Sequence, residues 1–398
     1  MDDKIAVTYK QGPFHNARNS LASLDLRHIK GKSVLIKPNV GRTVVKERGI
    51  NTHPDAVAGV IETLKEAGAA RIAIGESPIV GVNTIEAFKK SGIAEIANKY
   101  NVELIDLDAG KALVKDIPNS RILKTTKICA DIYAFDFLLS LPVAKSHMHT
   151  GVTLGIKNMK GCLYRHEKVR YHQLEYEIED QYPEKTLDSA IADLAKILLP
   201  DITVIDGYIG MEGLGPSGGE PVKSDFAVAS LNPIGADVFG CLMMGIAAQE
   251  IAYLKIISEN TGYSLDPDTY EVIEQTNQEY KQHIVHYKRP PEKVSIQYPN
   301  VVLYDRESCS ACLSTVMLFL KRFHTDMSQY LFPDGKFHIA IGKGLNPDEM
   351  HPDTILIGNC ARKCRLGGKY IPGCPPVPTR IYKEITGHEP EENEPDIK

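Results

Sequence analysis

Short runs of β-branched and other apolar residues alternate with helix-length segments over the first 245 residues. This alternation is typical of a mainly parallel sheet covered by helices on both faces. The segments that we predict as strands are residues 33–36, 71–74, 102–105, 135–141, 202–205 and 226–229. A helix is predicted from Thr52, a suitable N-cap, to Gly68, and two more are predicted at residues 186–198 and 233–246.

The pattern changes after residue 246. Residues 247–293 read as a helical insertion that ends in a charged, proline-rich linker. A second, smaller α/β domain is predicted over residues 294–387, with strands at 301–304, 337–341 and 354–357 and helices at 312–323 and 378–386. Residues 388–398 are acidic and nearly free of large apolar side chains, so we expect a disordered tail. The first α/β domain then covers residues 1–246.

Composition is that of a globular protein, with 43% hydrophobic residues in 398 and a net charge of -5. That charge does not favour nucleic acid or an anionic membrane as a partner. The N-terminus lacks a basic and apolar leader, and no stretch approaches the ~18 apolar residues of a membrane span. We therefore expect a soluble, cytoplasmic protein.

Five of the eight cysteines fall between residues 309 and 374. Because a reducing cytosol disfavours disulfides, this clustering favours a metal site. Two of the five follow one predicted strand, two follow another and the last precedes the closing helix, so three loops can bring them to one rim of a parallel sheet. They are Cys309, Cys312, Cys360, Cys364 and Cys374.

The Cys-x-x-Cys spacing of Cys309 and Cys312 suits zinc, a redox disulfide or an iron-sulfur cluster. The prolines that follow Cys374 favour iron-sulfur, since Cys-Pro recurs in cluster ligation. We predict one 4Fe-4S cluster, held by Cys309, Cys312, Cys360 and Cys374. Cys364 is left out: with basic neighbours it is either a reactive thiol or substitute ligand, or simply a surface cysteine.

A second candidate site lies in residues 145–172, where six Lys or Arg and four His meet one acid, Glu167. The segment begins where a predicted strand ends, and the carboxyl edge of a parallel sheet is where such folds bind ligands. We predict that it holds an anionic substrate such as a carboxylate, a phosphate or an acyl-coenzyme A, although a solvated basic face would look the same. A metal ion bound by His147 and His149 is an alternative, but no carboxylate close to them in the sequence would complete its ligands.

Polar residues at other predicted strand ends complete this second site. Glu212 lies in a glycine-rich loop that matches no nucleotide-binding motif, and Asp237 lies in the first turns of a helix, where a carboxylate also suits the helix dipole. We assign catalysis to His147, His149, Lys157 and Glu212, and substrate binding to Lys37, Asn39, Glu76, Lys145, Lys160 and Asp206.

Several of these strings resemble the domain of unknown function 362 family. They are residues 36–39, 52–55, 75–78, 145–161, 206–207 with 212–213, and 232–237, and the stretch 157–161, Lys-Asn-Met-Lys-Gly, is the most specific. The resemblance implies an iron-sulfur region, which many members carry, and an anaerobic setting, but no substrate. Five cysteines cannot hold the two clusters of an appended ferredoxin, so a single cluster is the limit.

The leading hypothesis is an iron-sulfur oxidoreductase or electron-transfer protein that acts on a small anionic substrate, with a ferredoxin-like or flavin electron partner. One alternative is a non-redox cluster enzyme, in which the cluster serves as a Lewis acid or a sulfur carrier. Another is a nucleic-acid or partner-binding module with a structural cluster, which the scarcity of arginine-aromatic interleaving disfavours. A homo-oligomer is left open.

Overall fold

The computed structural model describes residues 3–176, 182–273, 279–290, 298–364 and 367–390. The chain divides into two compact units. The larger one consists of Met1–Glu212 and Glu220–Lys288, and the smaller one of Gly213–Gly219 and Arg289–Lys398. Residues 247–288, assigned from the sequence to a separate insertion and linker, thus belong to the larger unit.

A mixed sheet forms the centre of the larger unit. Its strands are β1 (Lys4–Tyr9), β2 (Ser33–Pro38), β3 (Arg71–Glu76), β4 (Glu103–Asp106), β7 (Phe137–Leu141), β8 (Val143–His147), β9 (Gly151–Thr153), β10 (Ile202–Glu212), β11 (Glu220–Ser230) and β12 (Glu271–Ile273). Within this sheet β4, β3, β2, β7 and β10 are neighbours and run parallel, and β11 and β1 follow β10 in antiparallel pairing. A separate antiparallel pair consists of β5 (Ala112–Asp116) and β6 (Thr125–Cys129).

Helices cover both faces of this sheet. They are α1 (Gly12–Ala22), α2 (Pro54–Glu66), α3 (Thr84–Lys90), α4 (Ile93–Tyr100), α5 (Gly155–Asn158), α6 (Glu167–Arg170), α7 (Thr186–Ala195), α8 (Pro233–Met243) and α9 (Ala252–Thr261). Successive residues of β2 point to opposite faces: Val34 and Ile36 pack with α1 to α4, and Leu35 packs with α7, α8 and α9. Both faces are therefore buried, as the apolar runs predict.

The smaller unit has its own parallel sheet, in the order β13, β14, β15, β16. Its elements are β13 (Val301–Arg306), α10 (Ser310–Phe323), β14 (Phe337–Gly342), β15 (Ile355–Ile357), β16 (Tyr370–Ile371) and α11 (Pro378–Thr386). The predicted fold class, a mainly parallel α/β sheet with a smaller α/β unit after it, is confirmed. Most of the predicted acidic tail, residues 391–398, lies outside the described residues.

Two local features differ from the expectation. His53, rather than Thr52, caps α2, because the His53 side chain accepts a hydrogen bond from the Asp55 N–H. The Thr52 hydroxyl instead donates to the Leu141 carbonyl at 2.7 Å and so joins the loop before α2 to the end of β7. The long antiparallel hairpin of β10 and β11 also makes the sheet mixed.

None of the helices in the described ranges is both long and apolar enough to cross a bilayer.

Candidate functional site

The ends of β2 and β3 carry a buried ion pair. Lys37 Nζ lies 2.7 Å from Glu76 Oε1, and the two side chains are 1% and 2% exposed. Lys37 Nζ also donates to the Pro38 carbonyl at 2.6 Å, and Glu76 accepts from the Val40 N–H at 2.7 Å and the Ser77 N–H at 2.8 Å. The two residues, both predicted to bind substrate, are thus bonded chiefly to each other and to their own strand ends.

The segment that contains α5 closes over this pair. Asn158 accepts a hydrogen bond from Lys37 Nζ at 3.3 Å and donates to the Lys37 carbonyl at 2.9 Å. A Cβ at Gly161 would lie 2.5 Å from Lys37 Nζ and 2.6 Å from Glu76 Oε1, so this position accepts only glycine without a shift of the pair. The most specific stretch of the sequence, 157–161, therefore packs directly on the Lys37–Glu76 pair.

Asp237 on α8 holds the start of α5. Its carboxylate accepts hydrogen bonds from the Gly155 N–H at 2.7 Å and the Ile156 N–H at 3.2 Å. Burial raises the pKa of Asp237 to about 7, and these two backbone bonds act in the opposite direction. Asp237 thereby sets the position of Lys157, which is the residue after Ile156 in α5.

Lys145 lies inside the same edge of the sheet. Its Nζ donates to Asn39 Oδ1 at 2.5 Å and to the Ile50 carbonyl at 2.8 Å, and the side chain is buried. Burial lowers the pKa of Lys145 to about 7, the charge of Glu76 opposes the shift, and the charges of Arg42 and Lys37 add to it. Asn39, a predicted substrate ligand, therefore positions Lys145.

Two histidines follow Lys145 at the end of β8. His147 Nδ1 accepts from the N–H groups of His149 and Thr150, each at 3.2 Å, which leaves the ring proton of neutral His147 on Nε2. Burial and the charge of Lys157 hold the pKa of His147 well below its usual range. Burial also lowers the pKa of His149 to about 4, and its Nε2 is buried without a hydrogen-bond partner in the described part of the chain.

Lys157 is the least satisfied lysine of the region. Its Nζ donates to Thr153 Oγ1 at 3.3 Å, and among the described residues no carboxylate lies within ion-pair distance. Burial, followed by the charges of Lys160 and Lys145, holds the pKa of Lys157 well below its usual range. We call Lys145, His147, His149, Lys157, Lys160 and His172 the basic cluster.

Lys160 and His172 contact each other within the basic cluster. Lys160 Nζ lies 2.9 Å from His172 Nε2 and sits over the Tyr171 ring, 5.7 Å from its centroid. Burial, with the charges of Lys160 and Lys157, holds the pKa of His172 well below its usual range. His172 therefore accepts from the Lys160 ammonium as a neutral ring.

Asp188 on α7 is a member of this region that was not predicted. Its side chain is 2% exposed, and Oδ1 has no hydrogen-bond partner among the described residues. Burial raises the pKa of Asp188 to about 6, and the charges of Lys185 and Lys157 oppose this shift. In the sequence an acid in the first turn of a helix looks like an ordinary dipole-stabilising residue, so nothing local marks Asp188.

Asp206 and Glu212 form their hydrogen bonds with residues outside the basic cluster. Asp206 accepts from the His53 N–H at 2.8 Å and the Tyr208 N–H at 3.0 Å, and burial raises its pKa to about 6. Glu212 accepts from the Lys288 N–H at 2.9 Å and pairs with Lys288 Nζ at 3.1 Å. Both carboxylates are thus engaged with residues outside the basic cluster.

The smaller unit gathers four of its five cysteines. Cys309 is the N-cap residue of α10, and Cys312 follows one turn later. A hydrogen bond with Cys309 and then burial raise the pKa of the Cys312 thiol, and the neighbouring charges of Cys309, Cys374 and Cys360 add to the shift. Burial likewise raises the pKa of Cys374 to about 11, with contributions from Cys309 and Cys360. These mutual effects mark the four sulfurs as neighbours.

Backbone contacts join the loops that carry these cysteines. The Asn359 N–H donates to the Gly373 carbonyl at 2.8 Å, and the Gly373 N–H returns a bond to Asn359 Oδ1 at 2.9 Å. A Cβ at Gly358 would lie 3.2 Å from the Cys312 sulfur. The loops before Cys360 and Cys374 and the first turn of α10 therefore meet at one place.

Cys364 lies apart from that group. It packs against Ala340, Leu356 and Ala361, and burial alone raises its pKa. Of the alternatives for Cys364, a surface cysteine is excluded because the side chain is only 7% exposed, and the direction of its pKa shift is opposite to that expected from basic neighbours. Among the described residues, no group of three or more His, Cys, Asp or Glu side chains has an arrangement that could hold a metal ion.

Comparisons with known proteins give partial matches. A Thylakoid-associated protein, sll1697, from Synechocystis is 27% identical over 200 residues, which are 50% of this chain and 59% of that protein. The match therefore spans less than two thirds of the relative. The lactate racemase apoprotein of Thermoanaerobacterium thermosaccharolyticum matches with a TM-score of 0.39 and 16% identity, over 61% of this chain and 57% of that one. A Thermotoga maritima protein has a TM-score of 0.33 and 15% identity, over 52% of each chain.

The family comparison covers more than half of the chain. The domain of unknown function DUF362 matches residues 34–242, which include β3, the whole basic cluster and most of β2 and α8. The strings noted in the sequence, from Lys37 to Asp237, lie within this range. The chain therefore belongs to the DUF362 family.

Proposed function

We propose that this protein is an iron-sulfur oxidoreductase or electron-transfer protein. In this proposal the smaller unit binds one 4Fe-4S cluster through Cys309, Cys312, Cys360 and Cys374, and the basic cluster of the larger unit binds a small anionic molecule. The observation that carries the proposal is that the loops of Cys360 and Cys374 meet the first turn of α10, whose N-cap residue is Cys309 and which contains Cys312, whereas Cys364 lies in a separate apolar environment.

The donor set suits the cofactor. Four thiolates are the usual ligands of a cubane, which carries single electrons when bound. The loops of Cys360 and Cys374 are tied together by the Asn359–Gly373 hydrogen bonds, and the first of them lies against Cys312 at Gly358. The hydrogen bond between Cys309 and Cys312 must open for this binding, because a cubane occupies the space between its thiolates.

Within the described part of the chain, carboxylates act on the two buried lysines of the basic cluster without forming an ion pair: Glu76 acts electrostatically on Lys145, and Asp188 on Lys157. Lys145 and Lys157 are buried and form no ion pair with a described carboxylate, and their pKa values are lowered by burial. Burying an uncompensated cation is costly, so a bound anion would stabilise the protonated forms. The Lys160 ammonium lies beside them and offers a third cation for the same ligand.

Iron analysis after anaerobic purification or reconstitution tests the cluster. We expect about four irons and about four sulfides per chain and a broad visible absorbance that bleaches on reduction. Cys374→Ser should lose the iron, whereas Cys364→Ser should keep it. A colourless protein that contains zinc would contradict the cluster, and a coloured protein that cannot be reduced would contradict the redox role.

Calorimetric titration with inorganic phosphate and with pyruvate at pH 6 tests the anion site. The native chain should bind at least one of the two, and Lys145→Met should bind neither while its iron content stays unchanged. Lys89→Met, at an exposed lysine of α3, is the matched control and should bind as the native chain does. Equal binding by Lys145→Met would remove the basic cluster from the proposal.

A further inference from the structure

We propose that the ligand of the basic cluster is a small carbonyl compound with a carboxylate group, a 2-oxo acid, and that Lys157 forms a covalent imine with its carbonyl carbon. This inference rests on the anion-binding half of the proposed function and adds to it a substrate class and a nucleophile.

The environment of Lys157 is that of an amine kept available for reaction. Its Nζ is buried, makes one long hydrogen bond to the Thr153 hydroxyl at 3.3 Å, and meets no described carboxylate at ion-pair distance. Lys37 is the contrast in the same region, because its Nζ lies 2.7 Å from a carboxylate oxygen of Glu76. A lysine whose charge has no partner is the one that reacts as a neutral amine.

The position of Lys157 is fixed by its neighbours in the chain. Asp237 holds the Gly155 and Ile156 N–H groups, and Asn158 is bonded to the Lys37 backbone and side chain. Lys157 lies between these two anchors. A nucleophile held in this way needs little rearrangement to reach a bound carbonyl group.

Asp188 and His149, which interact electrostatically with Lys157, are groups that can carry protons. Imine formation joins Nζ to the carbonyl carbon and releases the carbonyl oxygen as water, so two protons must pass from the nitrogen to the oxygen. Asp188 Oδ1 and His149 Nε2 are buried without hydrogen-bond partners among the described residues, and each of these side chains interacts electrostatically with Lys157. Asp188, with a pKa of about 6, can give and accept a proton near neutral pH.

Lys145 and Lys160 supply the positive charge that binds the carboxylate of the 2-oxo acid. Lys145, with a pKa of about 7, and Lys160, beside neutral His172, both contribute to the electrostatic environment of Lys157. A ligand whose carboxylate binds these ammonium groups would have its adjacent carbonyl near Nζ of Lys157. Simple aldehydes and ketones without a carboxylate lack that anchor, which restricts the class to oxo acids.

Reductive trapping on the full-length protein tests the proposal. The native chain is incubated at pH 7 with glyoxylate, pyruvate or 2-oxoglutarate and sodium cyanoborohydride, and the modified lysine is located by peptide mass spectrometry. We expect one adduct per chain, at Lys157, with severalfold more labelling than at exposed Lys89, because burial lowers the pKa of Lys157 and so favours its neutral, nucleophilic amine. Lys157→Arg should abolish this adduct, and Lys89→Arg should keep it.

The outcomes separate this inference from the proposed function. Absence of a Lys157 adduct with all three acids, or labelling spread evenly over exposed lysines, overturns the imine. If calorimetry shows that an acid binds although none is trapped, the anion site stands and the imine alone fails. If no acid binds and none is trapped, the imine and the anion site both fail, while iron content reports on the cluster independently. The mapping on the native chain decides the matter even if Lys157→Arg does not fold.

Discussion

Substitution of Glu76 by Gln tests whether the buried Lys37–Glu76 pair holds the larger unit together. Three donors converge on the two oxygens of Glu76: Lys37 Nζ and the Ser77 N–H on Oε1, and the Val40 N–H on Oε2. Glutamine offers one acceptor oxygen and one amide group. At least one donor would then face N–H groups, and the Lys37 ammonium would lose its counter-charge in a region from which water is excluded.

The expected cost follows from this burial. At the observed 2.7 Å separation and an effective dielectric constant of about 20, the Coulomb attraction between Lys37 and Glu76 is about 6 kcal/mol, much of which only offsets desolvation. Loss of one partner leaves the other charge buried and unpaired, which costs about 3–5 kcal/mol. We therefore expect Glu76→Gln to lower the free energy of unfolding of the larger unit by about 3–5 kcal/mol.

Urea denaturation measures this change. The chain has no tryptophan, so unfolding is followed by far-ultraviolet circular dichroism, and hydrogen exchange of the Val40 and Ser77 amides assigns the change to the larger unit. Glu103→Gln is the matched control, because Arg71 and Glu103 are also 2.7 Å apart but their side chains are 46% and 53% exposed. The control should change stability by less than about 1 kcal/mol. Equal effects of the two substitutions would refute the argument from burial.

Two further predictions concern the same edge of the sheet. Gly161→Ala places a Cβ within 2.6 Å of Lys37 and Glu76 and should lower the free energy of unfolding, measured with urea or heat, by about 1–3 kcal/mol. Gly41→Ala is the control and should be nearly neutral, because its Cβ would meet nothing closer than 3.9 Å. Equal effects of the two substitutions would mean that the segment around Gly161 shifts without cost. Because the folded pKa of Lys145 is lowered to about 7, phosphate affinity measured by calorimetry should fall as pH rises through 7. The exposed-lysine control Lys89→Met should show the same fall, and an affinity that stays constant or rises through pH 7 would exclude Lys145 from the site.

The strand and helix pattern could be predicted because it depends on local periodicity. The helix at residues 378–386 occurs as α11 with the same bounds, and the predicted strands at 71–74 and 337–341 lie within β3 and β14. Apolar runs of strand length, separated by helix-period segments, are sufficient for a parallel sheet covered on both faces. The antiparallel pairing of β10 with β11 was not predicted, because pairing direction depends on contacts between strands.

The polar residues at strand ends were recognised for their position, but their partners were not. Lys37 and Glu76 were both expected to bind substrate, and they bind each other across 39 positions of sequence. Asp237 reaches the Gly155 N–H from 82 positions away, a relation that has no local pattern. Hydrogen-bond partners of this kind are set by how the elements pack, so a single sequence does not reveal them.

The amino-acid sequence by itself determined the α/β class, the division into a larger and a smaller sheet, the membership of the DUF362 family and the list of candidate side chains, since these depend on periodicity, composition and short motifs. Only the tertiary structure decided which of these side chains are buried and what each one meets. It separated Cys364 from the other four cysteines, revealed the electrostatic interaction of Asp188 with Lys157 and left Lys157 without an ion pair among the described residues. Burial and charge balance arise from elements far apart in the chain, and they decide which polar residues are free to react.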